Sequence, residues 1–305
     1  MSDREVRVYE VGPRDGLQNE AAPISTDDKL RFIELLADAG LREIEATSFV
    51  SPRAVPQLAD ADELMARLRR RPGIRYPVLV PNARGLERAE TAGVDAVAVF
   101  TAASEPFTRA NINMTIGESI DAFRPVIDAA RERGWWTRGY VSTAFGCPYQ
   151  GEVHEAAVAG VARLLVDLGV DEVSIGDTIG VAGPADVRRV VGALLAAGIG
   201  VERVAMHFHD TRGTALANAT AALELGIRCF DSSAGGTGGC PYAPGAAGNL
   251  ATEDLVYLLD REGMTHGVDL DGVLAAARHV SHVLDRPLAT KMGQAGPWRP
   301  TSRVP

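Results

Sequence analysis

Short apolar runs alternate with longer stretches whose apolar residues recur at helical spacing, and the alternation persists along most of the chain. Val6-Arg7-Val8-Tyr9-Glu10 alternates and leads into Val11-Gly12-Pro13, a strand ending in a turn. Asp27 to Ala39 sets Leu30, Ile33, Leu36 and Ala37 at helical spacing and stops at Gly40. Arg42 to Thr47 reads as a second strand, and further apolar strands are expected near 75–80, 94–100, 137–143, 171–176, 201–208 and 228–232. Helical patterns separate and follow them near 57–70, 84–92, 117–133, 152–168, 184–197, 214–225 and 252–260.

Eight strand-then-helix units in one unbroken series predict an α/β fold closed into a (βα)8 barrel. An open doubly wound sheet would be expected to carry a glycine fingerprint after its first strand. The turn here, Val11 to Gly16, reads V-G-P-R-D-G and does not match G-x-G-x-x-G. The expected division is a barrel over residues 1–263 and a small C-terminal helical extension over 264–305, with one more helical pattern from Val273 to Val283.

Composition narrows the class. A chain of 305 residues with 46% hydrophobic content can bury a large core as one barrel. A formal charge of −9 weighs against a nucleic-acid or anionic-membrane surface. Cys147, Cys229 and Cys240 are an odd set without metal-type spacing, so no disulfide framework is expected. Met1 to Glu5 runs straight into the first strand pattern, which argues against a targeting peptide. No apolar stretch approaches the roughly 20 residues that span a bilayer. A cytoplasmic protein with a small-molecule substrate is expected.

The barrel supplies a test, because active residues of such folds collect at the carboxyl ends of the strands. His207 and His209 end the seventh strand two residues apart, so both imidazoles share one face. Arg14 and Asp15 follow the first strand, Glu45 ends the second, Asp177 the sixth, and Cys240 and Asn249 come after the eighth. All fall at one end of the barrel, and strands one, two, seven and eight become neighbours on closure. Asp15, His207, His209 and Asn249 offer two nitrogens and two oxygens, a set suited to a divalent ion such as Mg²⁺ or Mn²⁺. Capping of the helix after Leu250 is the competing role for Asn249.

Arg14 beside such an ion could stabilise an enolate oxygen. Its competing role is a surface pair with Glu10 or Glu20. Glu43 and Glu45 share a face opposite Ile44, and a carboxylate in the barrel mouth needs a partner such as Arg14. The glycine-rich stretch from Ala234 to Gly245 reads as a mobile lid carrying Cys240, whose thiol could move a proton. Cys147 and Cys229 read as structural.

These stretches resemble a known family. Residues 11–20 (VGPRDGLQNE), 47–52 (TSFVSP), 174–180 (SIGDTIG) and 207–211 (HFHDT) are similar to 3-hydroxy-3-methylglutaryl-CoA lyases, within the TIM-barrel metallolyases. The run from Asp231 through Gly238-Gly-Cys-Pro-Tyr242 to Leu255 adds the element specific to the lyase branch. The resemblance spans about residues 5 to 260 and implies cleavage of a 3-hydroxy-3-methylglutaryl thioester to acetyl-CoA and acetoacetate. It implies a divalent cation on Asp15, His207, His209 and Asn249, and no organic cofactor. Arg14 and Gln18 would contact the substrate, Glu45 would support Arg14, and His207 or Asp15 would take the hydroxyl proton. Cys240 would protonate the acetyl-CoA carbanion. A homo-oligomer, with a dimer as first expectation, follows from the same resemblance. Two other readings within the superfamily are a lyase for a longer branched 3-hydroxyglutaryl-CoA and a Claisen-condensing synthase. Arg212 stands where better-known members have an aromatic residue.

Overall fold

The structure, a computed structural model, describes residues 4–239, 248–288 and 290–298. Its eight barrel strands are β1 (Arg7–Glu10), β2 in two pieces (Glu43–Ile44 and Thr47–Ser48), β3 (Val78–Leu79) and β4 (Ala96–Ala102). They continue as β5 (Trp136–Ser142), β6 (Glu172–Asp177), β7 (Val204–Phe208) and β8 (Cys229–Ser232). Every strand pairing is parallel. β8 pairs with β1, and β1 with the first piece of β2, while the second piece of β2 pairs with β3. Between the pieces, the Glu45 N–H donates to the Glu10 carbonyl and the Ala46 N–H to the Pro77 carbonyl. Backbone bonding therefore passes through β2 and closes the ring.

Alternation along the strands sorts the side chains into two layers. Val6, Val8, Ile44, Ala46, Val97, Val99, Val173, Ile175 and Met206 face the helices and join one large apolar cluster between strands and helices. Polar and charged residues share the inward side with Tyr9, Ala98, Ala205 and Cys229: Glu43, Glu45, Arg138, Ser174 and Asp231 are all buried. The apolar shell holds the fold, which leaves the barrel interior free to carry charge.

The helices follow the expected order. They are α1 (Thr26–Asp38), α2 (Ala61–Arg67), α3 (Ala83–Thr91), α4 (Glu105–Ile112), α5 (Ile116–Glu132) and α6 (Glu155–Leu168). α7 (Pro184–Ala196), α8 (Ala215–Glu224), α9 (Thr252–Arg261), α10 (Leu270–Val283) and α11 (Lys291–Ala295) complete the set. α4 was not anticipated; Ser104 caps it and Pro106 sits in its first turn, both legitimate start signals. The helix expected over 57–70 divides into a 3₁₀ turn, Pro56–Leu58, and α2, because Pro56 fits only the first positions of a turn. The start of the seventh strand is also shorter than its apolar pattern, since Val201–Arg203 forms a 3₁₀ turn. α10 closes on α1, where His279 Nε2 meets the Asp28 carbonyl oxygen at 3.0 Å. Among the described residues, no helix is long and apolar enough to cross a membrane.

Candidate active site

After β1 the chain makes one π-type turn, Gly12–Gly16, closed by the N–H groups of Asp15 and Gly16 on the Val11 carbonyl. This turn aims Arg14 and Asp15 across the barrel mouth. Arg14 is buried, and its Nε donates to Glu45 Oε2 at 2.9 Å while its NH1 donates to Asp15 Oδ1 at 2.7 Å. The surface pairing with Glu10 or Glu20 is therefore not adopted. Tyr140 from β5 donates its hydroxyl to the same Glu45 oxygen at 3.0 Å, with its ring 5.3 Å from the Arg14 guanidinium carbon. Three groups on three elements thus fix one guanidinium.

Glu43 and Glu45 both point inward, at different heights. Glu45 belongs to the mouth, whereas Glu43 faces Arg7 and Arg75 at the opposite end. Period-2 alternation could place the pair on one face but could not say which layer each would serve.

His207 ends the inward row of β7. Its Nδ1 lies 3.1 Å from Asp231 Oδ2, and the Asp231 carboxylate also accepts from Ser174 Oγ at 2.8 Å and Arg138 NH2 at 2.6 Å. Asp231 is buried and its pKa is lowered: burial opposes this, and Arg138 and His207 overcome it. An anionic Asp231 fixes Nδ1 of His207 as a donor, leaving Nε2 with a free lone pair turned into the mouth. His209 Nε2 sits 3.2 Å from that atom. Burial, with His207 second, lowers the His209 pKa to about 4, so the ring is neutral at pH 7.

Asn249 arrives by a return of the chain. Beyond β8 the backbone comes back to β7, and His209 and Asn249 form an antiparallel bridge, with the Leu250 N–H on the Phe208 carbonyl. Asn249 is not the cap of α9, whose N-cap is Ala251. Its Nδ2 donates to Asp15 Oδ2 at 2.8 Å and to the Thr237 carbonyl at 3.0 Å. Gly238 makes room for it: a Cβ there would lie 2.5 Å from Asn249 Nδ2, and its φ of +97° suits glycine. Burial raises the Asp15 pKa, but Arg14, His207, His209 and Asn249 outweigh it and bring it down to about 2.

Ligand atoms of Asp15, His207 and His209 all lie within 4.8 Å of one another. Beside them the buried Asn249 Oδ1 and the second His209 nitrogen have no hydrogen-bond partner among the described residues, and neither has Glu45 Oε1. Buried acceptors are normally satisfied. Two imidazoles, a carboxylate and an amide converging with spare lone pairs fit a divalent cation of borderline to hard character.

A cavity of about 690 Å³ opens from this cluster, lined by Arg14, Asp15, Gln18, Tyr140, His207 and His209 on one side. Phe107, Asn111 and Ile112 of α4 form part of its far wall. Gln18 therefore joins the group, whereas Asp177 does not: it accepts from the N–H groups of Val181 and Ala182 and holds the turn after β6. Arg212 NH1 donates to the Ile179 and Gly180 carbonyls and does not line the cavity. Cys147 and Cys229 are buried and Cys147 lies 3.0 Å from Ser104 Oγ. Cys240 and the second half of the lid read from the sequence lie outside the described residues. Tyr140, Asp231, Ser174 and Arg138 were not singled out by sequence reasoning. Their signal was available as polar residues at alternate positions within otherwise apolar strands.

The HMGL-like family model matches residues 5–280. The hydroxymethylglutaryl-CoA lyase of Pseudomonas mevalonii is 51% identical over 290 residues, covering 95% of this chain and 96% of that protein. The crystal structure of the hydroxymethylglutaryl-CoA lyase from Pseudomonas aeruginosa superposes with a TM-score of 0.93 at 49% identity, covering 96% and 97% of the two chains. An HMG-CoA lyase from Acinetobacter baumannii in complex with coenzyme A and 3-methylmalate gives a TM-score of 0.94 at 36% identity, covering 100% and 99%. With the geometry of the mouth and this agreement along nearly its whole length, the chain belongs to the HMGL-like family.

Proposed function

We propose that this protein is a lyase that cleaves 3-hydroxy-3-methylglutaryl-CoA to acetyl-CoA and acetoacetate. The observation that carries the reading is the convergence of Asp15, His207 and His209 at the mouth beside the buried Asn249 Oδ1, which has no hydrogen-bond partner among the described residues. A divalent cation such as Mg²⁺ or Mn²⁺ held by these four residues would acidify the tertiary hydroxyl of the substrate and draw charge from its oxygen. No organic cofactor is required.

The residues of the chain then divide the work. Arg14, immobilised by Glu45 and Tyr140, is placed to hold the thioester oxygen, where negative charge develops as the bond between C2 and C3 breaks. Gln18 lines the same cavity, where it would contact the substrate. His207 has Nδ1 on Asp231 and its Nε2 turned into the mouth, and His207 or Asp15 takes the hydroxyl proton. The electron pair of the broken bond passes to C2 as the acetyl-CoA enolate, the former C–OH carbon becomes the ketone of acetoacetate, and Cys240 supplies the proton to C2. The barrel over residues 1–263 would carry all of this, with 264–305 as its helical extension.

Incubation of the protein with 3-hydroxy-3-methylglutaryl-CoA and Mg²⁺ or Mn²⁺ under reducing conditions should release acetoacetate. A Cys240→Ala variant should lose most turnover while binding the metal as the parent does. Undiminished turnover would remove Cys240 from the proton transfer.

A further inference from the structure

One buried carboxylate near the mouth faces away from the substrate. Glu10 ends β1 on the face that also carries Val6 and Val8, toward the helices, and it is 0% exposed. Its Oε1 accepts from the N–H of Gly12 at 2.8 Å and from the N–H of Ala234 at 3.0 Å. Its Oε2 accepts from Thr252 Oγ1 at 2.7 Å, which itself lies 2.8 Å from Ser232 Oγ. Gly12 begins the turn that carries Arg14 and Asp15. Ala234 begins the glycine stretch whose Thr237 carbonyl holds Asn249. Thr252 begins α9, three residues after Asn249.

The contact between these segments is close. A Cβ on Gly12 would lie 2.5 Å from Glu10 Oε1, and a Cβ on Gly16 would lie 2.4 Å from Thr237 Oγ1 and 2.7 Å from Ser233 Oγ. Glu10 therefore sits at the head of a seam along which the first turn and the glycine stretch touch. Burying a carboxylate in an apolar shell is unfavourable, so its presence asks for a return. Burial pushes its pKa up to about 7; the bonds from Thr252, Ala234 and Gly12 oppose that rise, and Glu253 is the charged neighbour that adds to it.

We propose that Glu10 is a positioning residue for the reaction, holding the turn 12–16 against Ala234–Gly236 and so setting the spacing between Asp15 and Asn249. The inference rests on the lyase reading above. What the seam needs is an acceptor long enough to reach both N–H groups, rather than a charge. In a protonated Glu10, or in glutamine, the second terminal atom donates to Thr252 Oγ1 and the first keeps both backbone bonds. An aspartate is one methylene too short to do so.

The test is calorimetric titration of metal-stripped full-length protein with Mn²⁺, together with kcat and KM, for the parent, Glu10→Asp and Glu10→Gln. Glu10→Asp should remain folded, bind Mn²⁺ about tenfold or more weakly and lose kcat more than it raises KM. Glu10→Gln should stay within about twofold of the parent in both. A folded Glu10→Asp with parental Mn²⁺ affinity and kcat overturns the proposal, as does a Glu10→Gln that loses as much as Glu10→Asp. Should Glu10→Asp fail to fold, Thr252→Val takes its place. Freeing Oε2 should weaken Mn²⁺ binding several-fold, and parental affinity there overturns the proposal. If the parent binds Mn²⁺ but releases no acetoacetate, the lyase reading fails, while the Mn²⁺ affinities still judge Glu10.

Discussion

The barrel interior buries charge at both ends and handles it in opposite ways. At the floor, Arg7, Arg75 and Arg138 meet Glu43 and Glu172, and each of the four carboxylate oxygens faces a guanidinium. At the mouth, Asp15 and Glu45 share Arg14, and Glu45 Oε1 and Asn249 Oδ1 are without a hydrogen-bond partner among the described residues. Glu43 and Glu45 make the contrast within one strand, two residues apart on one face. The first has a guanidinium on each of its oxygens. The second anchors a cation whose other side opens on a cavity. A buried charge by itself says little about function; buried polar atoms without partners beside a carboxylate and two imidazoles fit a cation site.

The contrast can be broken from the mouth first. Asp15→Ala removes a proposed metal ligand, a proposed proton acceptor and the partner of Asn249 together. It is expected to abolish Mn²⁺ binding in calorimetry and lower acetoacetate release by about a thousandfold or more. Arg14→Gln should cost about a hundredfold or more in kcat while Mn²⁺ still binds, because it removes charge stabilisation and leaves the ligands in place. Both effects should be absent from floor variants.

Asp231→Asn sharpens the account further, since Asp231 lies between the two regions, bonded to Arg138 below and His207 above. An amide there no longer enforces a donor at Nδ1, and Mn²⁺ affinity should fall about ten- to a hundredfold. Glu43→Gln gives the smallest effect. Arg7 and Arg75 are 30% and 36% exposed, so water takes up part of the unbalanced charge, and the loss should be about 1–2 kcal/mol of stability. A lower thermal midpoint with unchanged kcat is the expected pair of results. A Glu43→Gln variant that lost turnover as Arg14→Gln does would erase the distinction between floor and mouth.

Much of this was legible in the sequence because the fold repeats. Eight strand patterns place Asp15, Glu45, His207 and Asn249 at one end before any distance is known. The residues that escaped notice act through positions that periodicity cannot rank. Arg138 and Tyr140 alternate with Thr137 and Gly139 along β5, and only ring closure shows that their side chains cross the interior to Asp231 and Glu45. Glu10 was visible only as a possible partner for Arg14. Its true partners are backbone N–H groups at Gly12 and Ala234, the latter 224 residues away in the chain. Asp177 shows the reverse: a carboxylate at the correct end of a strand whose own following turn consumes both its oxygens.

The central claim is that the acceptor-rich mouth is a metal-dependent site for carbon–carbon cleavage. Its most direct test is acetoacetate release from 3-hydroxy-3-methylglutaryl-CoA by metal-stripped protein titrated with Mn²⁺ under reducing conditions. The account predicts product that rises with the metal added and levels off at one equivalent per chain. A folded, metal-loaded protein that releases none, or a stripped protein that releases as much as the loaded one, would contradict it.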